Sequence, residues 1–182
     1  MEEYTAYTKI LKEQLIPATG CTEPIALAYA AALARGTLGT IPDSVEAAVS
    51  GSIVKNVKSV VVPSTGGMKG IDTAVAAGIV AGDEKGILEV LSHAPEDAPK
   101  RIRQFLEKCP VKVKLAESGR IFDILITVEG GGHSCQVRIV DTHTNVVLIR
   151  RDGEILLEKA VAEEEHGAEE AVALEIKKIT EY

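Results

Sequence analysis

Hydrophobic positions recur at helical spacing through roughly the first hundred residues and at every second residue beyond Pro110. Tyr7, Ile10, Leu11 and Gln14 fall at i, i+3, i+4 and i+7, which predicts a helix over 4–15 ended by Pro17. A second helix is expected over 24–35. Thr22 suits its N-cap, Pro24 its first turn and Gly36 its C′ position, and Ala28, Ala31 and Ala32 form a face that another backbone can approach closely. Val45–Val49 alternates as a strand and Ser50-Gly51-Ser52 breaks it. Ile53–Val57 reads as a short helical turn or a loop, and Val60–Val62 as a brief buried strand stopped by Pro63. Ser64–Gly70 is a glycine-rich turn into a helix over 71–81, and two short helices follow over Gly86–Leu91 and Pro99–Lys108.

After Pro110, Val111, Val113 and Leu115 alternate with Lys112 and Lys114, as in a strand with one buried face. Ile121–Val128 and Gln136–Asp141 are further strands, with Glu129–Ser134 between them as a hairpin loop or bulge. Asp152-Gly153, between Val146–Arg151 and Glu154–Glu158, is a two-residue hairpin signal. Residues 111–158 are thus expected to form an antiparallel meander of four to five strands, closed by a helix over 167–179. The pattern as a whole predicts one α+β domain over residues 1–182, with helices mostly in the N-terminal half and the meander in the C-terminal half.

Composition sharpens this outline. Hydrophobic residues make up 46% of the 182 residues but aromatics only 3%, with no Trp, so the core must be aliphatic and alanine-dense. The formal net charge is −7 and the basic residues are scattered, which argues against a nucleic-acid partner. No apolar run reaches the roughly 18 residues of a membrane span. The acidic start Met-Glu-Glu is not a signal peptide, and three cysteines without CxxC spacing argue against a disulfide framework. A cytoplasmic protein is expected.

Candidate chemistry centres on Gly20-Cys21-Thr22-Glu23-Pro24. A cysteine at a helix N-terminus is favoured as a thiolate, a nucleophile and soft-metal ligand, although small cysteines also pack buried turns. The glycine turn at 64–70 could cradle an anion or be an ordinary turn. His93 and His166 lie in polar stretches and read as surface residues, as Glu163–Glu165 reads as a solvated helix lead-in. His133 reads as a loop residue more than as a metal ligand with Cys135. His143, in Thr142-His143-Thr144-Asn145, is either part of a turn or part of a polar cluster facing a substrate.

Three blocks carry a family resemblance: Gly20–Ala28; Val49-Ser50 with Lys55-Asn56 and Val61–Gly66; and His143–Val147. Together they resemble the L-cysteine desulfidase family, which is similar to the iron–sulfur L-serine dehydratases. The resemblance implies β-elimination of L-cysteine or L-serine at a 4Fe-4S cluster, giving pyruvate and ammonia. It implies Cys21 as a cluster ligand, and Thr22, Glu23, Lys55, Asn56, Thr65, Gly66, His143, Thr144 and Asn145 as residues around the substrate. No catalytic base is legible. Cys109 and Cys135 match no cluster motif, so the cluster is expected to need a C-terminal catalytic domain or partner subunit. A homo-oligomer is expected. A stand-alone amino-acid or anion-binding regulatory module is the competing reading, and an assembly domain without a working site a third.

Overall fold

The alanine-rich run that follows Cys21 folds as helix α1, Thr22–Leu38, and the rest of the chain is packed around it. The computed structural model describes Thr8 and residues 17–161, of which Ala18–Ala160 form one compact unit. The helices expected over 4–15 (Thr8 apart) and 167–179, with Glu163–Glu165 and His166, lie outside the described residues.

In chain order α1 is followed by strand β1 (Ser44–Val49), helices α2 (Gly51–Val57) and α3 (Ile71–Ala81), a 3-10 segment (Glu84–Glu89) and helix α4 (Ala98–Lys108). Strands β2 (Lys112–Leu115), β3 (Asp123–Gly130), β4 (His133–Val140), β5 (Val146–Arg151) and β6 (Glu154–Glu158) complete the unit. The class is α+β, with helices in the N-terminal half and a six-stranded mixed sheet supplied mainly by the C-terminal half.

Helix α1 packs against the sheet at β3 and β4 on one side and against α3 and the 3-10 segment on the other. That position explains why Ile25 to Ala28, Ala30 to Ala32 and Ala34 are all buried: the helix has no wet face over most of its length. The α1–α3 crossing is close. A Cβ at Gly78 would overlap the Ala28 carbonyl, and one at Gly82 would lie 2.9 Å from the Ala32 methyl. The predicted alanine face therefore does meet a backbone, through glycine. Helix α1 also runs past Gly36. Its C-cap is Gly39, at φ +86°, whereas Gly36 stays helical and lies against the Glu84 carboxylate.

The sheet order is β2-β1-β3-β4-β5-β6. Strands β3 to β6 form the expected antiparallel meander, with tight turns at Gly131-Gly132 and Asp152-Gly153, all four residues at positive φ. The meander does not extend to β2. Strand β1 lies between β2 and β3, parallel to the first and antiparallel to the second. The reason is apolar complementarity: Val45, Ala47 and Val49 stand opposite Val128, Ile126 and Ile124 and continue the buried face of the sheet. Strand β2 is left at the edge, and all four of its residues are exposed despite their half-buried pattern. Val60–Val62 is likewise not a strand. Val62 is buried, but Val61 only bridges Lys69 and is exposed. The short helix expected over Gly86–Leu91 is a 3-10 segment broken at Ile87, at φ 52°.

Candidate functional site

At the start of α1 the N-cap is Cys21, with extended backbone (φ −61°, ψ 126°), so Thr22 and Glu23 occupy the first helical positions. The preceding loop is clamped on two sides. Thr19 donates its N–H to the Leu88 carbonyl (3.1 Å) and its hydroxyl lies 2.7 Å from that of Ser92. A Cβ at Gly20 would stand 2.9 Å from the Pro63 ring, so this approach needs glycine. Cys21 is consequently exposed rather than packed in a buried turn.

Glu23 gathers the cluster. The Cys21 thiol donates to its Oε2 at 3.2 Å, the Thr22 hydroxyl reaches the same oxygen at 3.5 Å, and the Asn56 amide donates to Oε1 at 3.4 Å. Asn56 is brought there by α2, whose N-cap Ser50 is buried and donates its hydroxyl to the Ile121 carbonyl at 2.7 Å. His143 approaches from the β4–β5 turn, near enough for the Glu23 charge to act on its imidazole. Its ring meets Phe122 edge to face at 4.7 Å, and its Nε2 is buried without a hydrogen-bond partner among the described residues.

Each charge state has a physical cause. Burial, the hydrogen bond to Glu23 and the Glu23 charge push the Cys21 thiol up, and the amide N–H groups of the helix start do not reverse this. The balance therefore runs against the thiolate expected from the helix terminus: burial first, and then the Glu23 carboxylate, outweigh the amide N–H groups of the helix end. Burial pushes the Glu23 carboxyl up, but the hydrogen bonds it accepts and the neighbouring imidazole hold it below the ordinary value. Burial drives His143 below its ordinary value against the pull of Glu23, which keeps the ring neutral at pH 7.

The structure thus brings Cys21, Thr22, Glu23, Asn56 and His143 together. Thr65 is buried and hydrogen-bonded within its own turn, to the carbonyls of Val62 (2.7 Å) and Met68 (3.3 Å). Gly66, at φ +71°, packs against Pro99. Asn145 donates to the Val140 carbonyl at 3.2 Å and fastens the β4–β5 turn, with Thr144 half-buried beside it. Lys55 is exposed on α2. His93 is exposed, and His133 pairs with Asp152 (2.7 Å) between the two hairpin turns, as a loop residue. Sequence reading quoted Ser50 only as part of a resemblance block, and missed the supporting residues Thr19, Ile121 and Phe122. Only Gly20, beside the cysteine, hinted at the tight approach.

This chain is similar to the UPF0597 proteins. It is 50% identical to one from Desulfitobacterium hafniense over 153 residues, covering 84% of this chain and 36% of that protein. It is 41% identical to one from Treponema denticola over 157 residues (86% and 36%), and 38% identical to one from Oleidesulfovibrio alaskensis over 181 residues (99% and 42%). The chain spans little more than a third of the length of the curated relatives it matches. No family model and no solved structure matches it. The resemblance to the L-cysteine desulfidase family is corrected accordingly, because the relatives carry the UPF0597 name and none of these names mentions a desulfidase or a serine dehydratase.

The cysteines of this chain do not by themselves make up the ligand set of a 4Fe-4S cluster. Cys109 and Cys135 are buried in the core, where burial raises both thiols, Cys135 to about 11. No group of three or more metal-ligating side chains occurs among the described residues. No helix among them is long and apolar enough to cross a membrane.

Proposed function

We propose that this chain is the N-terminal part of a cytoplasmic lyase acting on a small β-substituted amino acid, L-cysteine or L-serine, with a site completed by a C-terminal catalytic domain or partner subunit. The reaction removes the α-proton and the β-substituent, sulfide from cysteine or hydroxide from serine. The resulting enamine hydrolyses to pyruvate and ammonia. The observation that carries the reading is the convergence on Glu23 of groups from three distant segments, the α1 start, α2 and the β4–β5 turn. An ionised carboxylate, a neutral imidazole, an amide and a thiol together offer the acceptors and donors needed to hold an amino acid and move a proton. The three free cysteines accord with a reducing compartment.

The test compares this chain with the same chain continued to the length of its relatives. Pyruvate and ammonia are measured from L-cysteine and L-serine, with sulfide as a third product from cysteine. Turnover by the longer polypeptide, lost on Glu23→Ala, is the expected result. A longer polypeptide that binds either amino acid without turning it over would instead indicate a regulatory binding module.

A further inference from the structure

Residues 120–123 link the pieces of the site, and no motif in the sequence singles them out. The Ile121 carbonyl accepts the Ser50 hydroxyl and the Asp123 carbonyl accepts the Ser50 N–H at 2.9 Å, which fixes the start of α2 and hence Asn56. The Phe122 carbonyl accepts the Asp141 N–H at 3.0 Å, and Arg120 pairs with the Asp141 carboxylate at 2.7 Å, which fixes the turn that carries His143. That turn is itself tight. Asp141 sits at φ 67°, and the Asn145 side chain closes it on Val140.

Within this bracket Phe122 is the side chain that touches the imidazole. Its own ring is partly buried and packed against the hydrophobic core, so it is a fixed surface rather than a mobile neighbour. An edge-to-face contact restricts the orientation of both rings. A buried ring nitrogen with no partner is costly, and the cost is recovered when something supplies the missing hydrogen bond. Among the described residues none supplies that hydrogen bond to Nε2.

We propose that Phe122 is a positioning residue of the site, fixing the orientation of the His143 imidazole, whose Nε2 is buried and unpaired among the described residues, toward the Glu23 cluster. This rests on the reading of the cluster as a substrate site, but its test reads the imidazole without turnover, so the two fail separately. The ring signals of His143 are followed by NMR in the chain and in Phe122→Leu and Phe122→Tyr, with His93 and His133 as internal references. The expected result is a cross-ring contact between Phe122 and His143 in the unaltered chain. In Phe122→Leu the His143 signals move while the references stay, and Phe122→Tyr restores them. Where leucine prevents folding, Phe122→Met fills the space without a ring and is read the same way. His143 signals unmoved by loss of the ring, tyrosine no better than leucine, or all histidines shifting together would overturn the assignment.

Discussion

At the residue scale the site is governed by one carboxylate. Because Glu23 both accepts from the Cys21 thiol and opposes its ionisation, Glu23→Gln is expected to lower the pH at which Cys21 becomes reactive. Alkylation at fixed mildly alkaline pH, followed by intact mass, should be severalfold faster than in the unaltered chain. The histidine sets a pH dependence of stability. Its folded-state value lies below the ordinary 6.5, so the unfolded chain binds the proton more readily. The contribution is fully present above 6.5 and is lost as pH falls through the folded value. Glu23 is also held below its ordinary value of 4.5, so its contribution is present above that point and is lost only in a second, more acidic step. Urea midpoints at pH 7.5 and pH 5 should therefore fall toward acid, and fall less in His143→Gln. An unchanged slope in that variant would assign the acid sensitivity to other groups.

At the element scale the deciding contact is the crossing of α1 and α3. Gly78→Ala places a methyl against the Ala28 carbonyl and is expected to cost about 3 kcal/mol, the upper end for over-packing. Gly51→Ala, where a Cβ meets nothing within 4 Å, should stay within about 0.5 kcal/mol of the unaltered chain. Paired denaturation curves separate the two. The elements were largely legible in the sequence: α3 matches its predicted bounds, and the turns at Gly131-Gly132 and Asp152-Gly153 announced their hairpins. What was not legible is pairing. The Val113–Leu115 alternation records what a strand can bury, not whether a neighbour and a helix arrive to bury it. The site divides the same way. Cys21, Glu23, Ser50, Asn56 and His143 stand in blocks that the sequence singles out, whereas Phe122 acts through a contact that no local pattern encodes.

At the scale of the whole molecule, the sheet is locked internally by a buried charge. The Asp123 side chain is 2% exposed and is held by Arg138 in a two-pronged ion pair at 3.0 and 2.6 Å. Arg138→Met would strand that carboxylate and is expected to cost about 3 kcal/mol in denaturant unfolding. The site presents its thiol at the surface, in a chain whose match covers 36% of the length of its Desulfitobacterium hafniense relative.

The place of β1 in the sheet has a consequence for synthesis. The ribosome releases β1 before both of its hydrogen-bonding neighbours, β2 and β3, which follow it by more than sixty residues. Until those residues emerge, Val45, Ala47 and Val49 have no partners, and α1 has no sheet to cover. The nascent N-terminal half must wait, with its apolar strand unpaired, for the hairpins that will enclose it.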